Sequence, residues 1–377
     1  MTQADSERGT LRSAVRELLE DLCSEAHVRT AIGDHGGVDG ALWNRIAEMG
    51  VLELAAPGFR NEEGATLLDL LVVFEELGQF LAPVPALSTA VTICALDAAA
   101  DRQLRWWARD IASGQRRVAV AVTVAEDMVT PRSRASASGP AGAPTVTARL
   151  PAVPDAVGAD ALLVLALHDQ GTGLFLVPTS GTGVCVTAVQ PFDLTRPAAD
   201  VVLEDAEAHL IADEGSGRVA PVLWLAWLLL SAEQVGVAQR VLDAVVSYAK
   251  IRTQFGRAIG SFQAVKHSCV DMLVQVEGSR ELVRAAAVAM DAGEPHEAFL
   301  QVNLAAAYAS EAAIDCAQRS LQIYGGIGFS WEHGAHLALR KARADSVRLS
   351  HASAHWQAVT GELARRGVVG AEWQGAR

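Results

Sequence analysis

Apolar residues recur at helical spacing from the start of the chain. Leu11, Val15, Leu18, Leu19 and Leu22 lie on one face with charges between them, and Leu42, Trp43 and Ile46 mark a shorter helix that Gly50 is placed to end. Leu67 to Leu81 is apolar with Glu75-Glu76 expected outside, and Pro83 and Pro85 stop it. Leu104 to Ile111 follows. The pattern then changes. Val118 to Thr123 is a β-branched run, and valine-rich stretches recur at 145–148, 161–167, 173–177, 183–189 and 199–203, separated by Gly, Pro, Asp and Ser. Helical spacing returns in Ala220 to Lys250, Ala264 to Asp291, Phe299 to Leu321 and His336 to Val359, with a break at Gly293-Glu294-Pro295. These blocks predict an α+β multidomain chain: an N-terminal helical domain over 1–116, a middle antiparallel β domain, barrel-like, over 117–213, and a C-terminal four-helix bundle over 214–377. Glu214 to Gly217 reads as a flexible junction. Trp106-Trp107 is expected to split between surface and core, and Trp224 and Trp227 to lie in the bundle core.

Composition narrows this picture. The chain has 377 residues, half of them apolar and a fifth charged, enough for several domains with a large core. A formal net charge of −13 disfavours nucleic acid and anionic membrane as partners, while leaving room for an anionic ligand at a local basic patch. The apolar run Val219 to Ala232 falls short of the ~20 residues that span a bilayer, so a central bundle helix is expected and no membrane span. Five scattered cysteines without metal-type spacing, and a polar N-terminus, read as reduced, mostly buried thiols in a cytoplasmic protein. His351 and His355 stand at i, i+4, but lack the partners of a metal site.

The candidate chemistry concentrates in two stretches. Arg252 to Gln263 reads R-T-Q-F-G-R-A-I-G-S-F-Q between two long helical runs, with Gly256 and Gly260 favouring a turn. It carries two guanidinium groups (Arg252, Arg257), the ring of Phe255 and the amides of Gln254 and Gln263. Two readings fit: fork-shaped donors for a diphosphate with a ring to stack on an adenine, or basic residues complementing a helix end with Phe255 in the core. Leu321 to Phe329 reads L-Q-I-Y-G-G-I-G-F, where Gly325 and Gly326 permit close approach of backbone to a ligand or simply end a helix.

Together, in this order and spacing, the two stretches resemble the C-terminal domain of the acyl-CoA dehydrogenase family, which carries R-x-x-F-G-x-x-I-x-x-x-Q on one helix hairpin and Q-I-x-G-G-x-G-F beyond the next helix. The E-E-L-G and D-L-T-R stretches and the helical, β, helical order resemble the rest of that layout. The resemblance implies FAD as cofactor. Arg252 would hold the pyrophosphate, Phe255 would meet the adenosine, and Gln254 and Gln263 would hydrogen-bond nearby. Gln322, Gly325 and Gly326 would contact the same cofactor, and Thr123 the flavin ring. Those contacts cross between subunits, so an oligomer is implied. The implied substrate is an acyl-CoA or acyl-carrier thioester, losing an α-proton to a carboxylate and a β-hydride to the flavin, with an electron-transfer acceptor downstream.

The chain departs from that pattern where the chemistry would occur. The positions matching the family's base are Leu349 and, for a minority type, Ala226. Asp345 lies one turn from the first, about 6 Å along a helix, and Glu233 two turns from the second, about 10 Å. The family's T-E-P-x-x-G-S-D is T-V-A-E-D-M here. W-E-H, Trp331 to His333, resembles a base-lacking subunit type found in mixed actinobacterial assemblies, some acting on steroid side chains, in which a sister subunit carries the glutamate. The expectation is a subunit of such a mixed oligomer, its own catalytic residue unassigned. A flavin-dependent oxygenase on the same fold, or a non-enzymatic partner, are the alternatives.

Overall fold

The computed structural model describes residues 3–33, 37–97, 101–122, 135–139 and 143–368. Seven helices come first: α1 (Gln3–Leu22), α2 (Glu25–Gly33), α3 (Gly40–Glu48), α4 (Pro57–Glu63), α5 (Leu67–Phe80), α6 (Ala86–Leu96) and α7 (Arg102–Ala112). The eight strands that follow are β1 (Val118–Ala121), β2 (Ala135–Ser138), β3 (Thr145–Pro154), β4 (Ala161–His168), β5 (Gly171–Pro178), β6 (Val184–Val189), β7 (Ala198–Glu207) and β8 (His209–Asp213). Their order is β6-β7-β3-β2-β4-β5-β8. The ladders are antiparallel except at β4, where β1 and β2 both join in parallel, so the sheet is mixed. One of its faces closes a small core of its own around Leu162, Val164, Phe175 and Val201, while the alternate residues of the same strands, such as Leu163 and Leu176, join the helical core.

Beyond the sheet run α8 (Val219–Ile251), a two-residue-strand hairpin of β9 (Thr253–Gln254) and β10 (Arg257–Ala258), α9 (Gln263–Asp291), α10 (Pro295–Tyr324), α11 (Ala335–Arg348) and α12 (Ala352–Arg365). The expected single helix over 336–359 is thus two. His351 adopts extended backbone and caps α12, its ring nitrogen accepting from Ser353 N, a cap signal hidden by unbroken apolar spacing. The stretch expected to be a flexible junction is an ordered turn, Glu214–Ser216, capped by the Asp213 side chain. α8 is long and apolar enough to cross a membrane by composition alone, but 83% of its most apolar window is buried inside this molecule. Trp107 is buried and Trp106 exposed; Trp227 is buried and Trp224 half-buried.

Glu75 and Glu76 correct the expectation that they face outward, for both are buried. Arg12 Nη1 donates to Glu76 at 2.7 Å and Arg12 Nη2 to Glu75 at 2.9 Å, while Arg16 reaches Glu76 through Nε at 2.9 Å. Paired guanidiniums on α1 allow carboxylates to sit inside.

α5 and α8 cross at two glycines. A Cβ on Gly78 would lie 2.0 Å from the Glu233 carbonyl oxygen, and one on Gly236 would lie 2.0 Å from that of Glu75. Backbone meets backbone here, so no rotamer change makes room. Gly236→Ala should lower stability by at least about 1–3 kcal/mol in urea unfolding. Gly361→Ala, in α12 with open space around it, should instead be neutral or stabilise by about 0.5–1 kcal/mol.

His355, on α12, is buried against the Trp227 ring, with Nδ1 2.8 Å from the Asn303 amide oxygen. Burial and neighbouring His351 depress its pKa from 6.5 to about 4. The unfolded chain therefore binds a proton between those values that the folded chain refuses. Stability is full above about pH 6.5 and falls as pH drops toward 4, by on the order of 3 kcal/mol. His355→Gln should flatten that limb of the stability–pH curve.

Candidate functional site

The Arg252–Gln263 stretch is a hairpin standing off the end of α8. Gln254 pairs with Arg257 and Thr253 with Ala258, and Ile259 N donates to Arg252 O at 2.8 Å to close its base. Its tip is Phe255 and Gly256, both at positive φ (53° and 78°), the conformation that tight two-residue hairpins require. A phenylalanine there is strained, and its side chain is 92% exposed. The reading that places Phe255 in the core is therefore excluded. Arg252, Gln254, Arg257 and Gln263 are all exposed, the last at the start of α9. Arg257 lies 4.2 Å over the Phe262 ring, and Gly260 packs where a Cβ would meet Ala249 O at 2.9 Å, so the base of the hairpin is fixed while its tip projects.

The glycine-rich stretch sits at the same end of the bundle. Tyr248, one turn before Arg252, and Tyr324, just before Gly325, have ring centroids 4.8 Å apart, joined by Leu321 and Val245 in a small buried cluster. Gln322, Gly325 and Gly326 are exposed. The glycines differ in purpose. Gly325 has φ +65°, and Gly328 packs against Tyr324 and Leu321, whereas a Cβ on Gly326 would meet nothing of this chain within 4 Å. Exposed donors, an exposed ring and an open glycine backbone on one surface suit a phosphate-bearing aromatic cofactor arriving from outside. Thr123 lies outside the described residues.

The positions where the resemblance would place a base are closed. Leu349 and Ala226 are buried in the main core. The two nearby acids, Asp345 and Glu233, are buried in a cage of ion pairs. Lys341 Nζ, with no solvent exposure, lies 2.8 Å from Glu233, 3.1 Å from Asp345 and 3.8 Å from Asp193. Arg196 binds Glu233 and stands 3.8 Å from Asp193 and 3.9 Å from Asp155. Arg348 Nη2 donates to Asp155 at 2.9 Å, and Ser88 Oγ to the same oxygen at 2.7 Å. Four carboxylates thus face three cations. Burial opposes the Glu233 anion, but Arg196 and Lys341 outweigh it and hold the carboxyl down at about 2. Burial pushes the Asp345 carboxyl up, with help from Glu233 and Asp193 and against the pull of Lys341 and Arg196.

A cavity of about 350 Å³ opens on one side of this cage, between the end of β1, the β6–β7 loop and α11. Val120, Val122, Pro151, Phe192 and Val347 form apolar walls. Asp193, Arg196, Asp345 and Arg348 of the cage also line it, with both Asp345 oxygens buried. The cage as a unit, with Asp155, Arg196, Lys341 and Arg348, went unread in the sequence. The signal available was Lys341 and Asp345 at i, i+4 on a buried helix face. Among the described residues, no group of three or more His, Cys, Asp or Glu side chains is placed to hold a metal.

Comparison with known proteins settles the lineage. Residues 5–115 match the acyl-CoA dehydrogenase N-terminal domain and residues 223–348 the acyl-CoA dehydrogenase C-terminal domain. The acyl-CoA dehydrogenase IpdE2 of Mycobacterium tuberculosis is 32% identical over 349 residues, covering 91% of this chain and 93% of that protein. The chain belongs to the acyl-CoA dehydrogenase family. It is a flavoprotein oxidoreductase by that membership. Acyl-CoA dehydrogenase FadE34 of the same organism is 34% identical over 348 residues; the match covers 89% of this chain but 45% of that relative, so the chain spans less than half its length. Among solved structures, a variant of the Tcur3481-Tcur3483 steroid ACAD superposes with a TM-score of 0.88 at 27% identity, covering 97% of this chain and 99% of its own. The ChsE4-ChsE5 complex from M. tuberculosis superposes at 0.86 and 29% identity, covering 97% and 98%.

Proposed function

We propose that this chain is one subunit type of a mixed acyl-CoA dehydrogenase, completing a FAD site with a sister chain that supplies the catalytic base. One observation carries the reading. The acids nearest the two base positions are buried in ion pairs with Arg196 and Lys341, while the hairpin and open glycine turn project outward, where a second chain would sit. A flavin held there would accept the hydride during α,β-dehydrogenation of an acyl-CoA or acyl-carrier thioester. On this side Arg252 would bind pyrophosphate, Phe255 would cover adenosine, Gln254, Gln263 and Gln322 would hydrogen-bond, and Gly325 and Gly326 would let the backbone approach. Thr123 would contact the flavin ring. Two of the similar structures are titled as pairs of differently named chains, and FadE34 is more than twice as long as the stretch it shares with this chain. The division at residues 116 and 213, and an electron-transfer protein as acceptor, belong to the same reading.

A second reading rests on Asp345, which lines the cavity with an elevated pKa and is the acid of this chain best placed to take a proton if the flavin lies within its own subunit. Co-expression with an acyl-CoA dehydrogenase of the glutamate-bearing type separates the two. The mixed assembly should be yellow, with about one flavin per pair of chains, and anaerobic flavin reduction by acyl-CoA should survive Asp345→Asn here and vanish on Glu→Gln in the sister. Flavin bound and reduced by this chain alone, in an Asp345-dependent way, would refute the shared site.

A further inference from the structure

Helix α9 is apolar on two sides. Its inner side carries Met272, Val276 and Val283, all fully buried in the main core. Its outer side carries Val270, Leu273 and Val274, which are 55%, 46% and 62% exposed. Their i, i+3, i+4 spacing gathers three large apolar side chains into one patch that faces away from the chain. One apolar face docks a helix on its own domain; a second one calls for a second partner.

Charge on the same outer face says which partner. Lys266 and His267 are exposed one turn before the patch, and neither side chain makes an ion pair or hydrogen bond among the described residues. Glu277 and Glu281 are exposed one and two turns after it. They pair within α9 with Arg280 and Arg284, each through one carboxylate oxygen. From its start the face therefore runs basic, apolar, acidic, and an antiparallel copy reverses that order. With a two-fold axis at the level of Met272, Val270 comes opposite Val274, and Lys266 and His267 come opposite Glu277, each contact occurring twice. A parallel copy would set base on base and acid on acid, which opposes binding. We propose that α9 pairs antiparallel with α9 of a second copy of this chain. The shared-flavin reading puts a sister chain at the neighbouring Arg252–Gln263 hairpin, so the full assembly would hold two chains of each type. That count rests on the reading above; the α9 pairing does not.

A seam of one helix is small for a stable interface, so the chain alone should dimerise at about micromolar concentration. Sedimentation equilibrium of the full chain at about 20 mM salt, where exposed charges are weakly screened, measures it. Val274→Asp, Glu277→Lys, and Lys266→Glu combined with His267→Glu should each weaken the dimer at least about tenfold. Mixing the Glu277→Lys chain with the Lys266→Glu, His267→Glu chain should restore dimers to within about threefold of wild type, because each then offers the other an opposite charge. All these positions are exposed, so urea midpoints should stay near that of the wild type. A wild-type chain that is still monomeric at about 100 μM, a dimer that Val274→Asp leaves intact, or a charge-swapped mixture that stays apart overturns the proposal. Native mass spectrometry of the assembly co-expressed with a glutamate-bearing sister keeps the two readings apart. Val274→Asp should reduce two chains of each type to one of each, with flavin still bound. A two-plus-two assembly that survives Val274→Asp sinks the seam alone. Loss of the sister on Val274→Asp, from a chain monomeric by itself, gives the face to the sister and overturns the second copy. An assembly that never forms while the single chain still dimerises sinks the shared-site reading and keeps the seam.

Discussion

Lys341→Met should cost this protein about 3–5 kcal/mol of stability, measured as a fall in the urea midpoint at unchanged slope. The ammonium has no solvent exposure and touches Glu233, Asp345 and Asp193. Its removal leaves four buried carboxylates facing two guanidiniums, and neither water nor a flexible side chain can replace it. The loss should shrink when Asp345→Asn is added, because the double variant removes one carboxylate with the cation. A double-mutant cycle should therefore show coupling of more than about 1 kcal/mol. Lys341→Met costing under about 1 kcal/mol would mean that the cage is wet and that its charges are not paired as described.

Arg252→Ala should behave in the opposite way, sparing the chain and crippling the cofactor. Its side chain is exposed and makes no hydrogen bond or ion pair within the chain among the described residues, so stability should move by no more than about 0.5 kcal/mol. A charge-assisted contact to a pyrophosphate is worth about 1.5–3 kcal/mol, so flavin retention by the mixed assembly should fall about 10–100-fold. Phe255→Gly sharpens the contrast. Relief of the positive φ should leave the chain as stable or up to about 1 kcal/mol more so, while flavin binding weakens. Unchanged flavin content in Arg252→Ala would remove the hairpin from the cofactor site.

Much of this architecture is legible in residue order because local chemistry marks it. The start of α8, the break before Pro295 and the hairpin turn at Gly256 each have a proline, a glycine or a change of period to announce them. What could not be read depends on partners distant in sequence. Glu75 and Glu76 look like an exposed pair until Arg12 and Arg16 are folded against them. The parallel joining of β1 and β2 to β4 is set by how the chain threads, which strand periodicity does not record. At the candidate site the split is similar. The outward motifs are short and contiguous, so Arg252, Phe255 and Gly325 stand out in the sequence. Asp155, Asp193, Arg196, Glu233 and Lys341 lie far apart along the chain, and it is the fold that turns two candidate bases into structural anions.

The cage also determines how the molecule comes apart. Its members sit on α6, just after β3, on the β6–β7 loop, on α8 and on α11, so none of the three element blocks can detach without stranding charge in the other two. Heating should accordingly produce a single calorimetric peak whose van't Hoff and measured enthalpies agree, rather than a staircase of separate melts. Hydration of ions grows less favourable as temperature climbs, so the desolvation cost of these pairs shrinks just where the rest of the structure is weakest. A chain assembled from helices and a sheet would then fail the way a single small domain does, all at once.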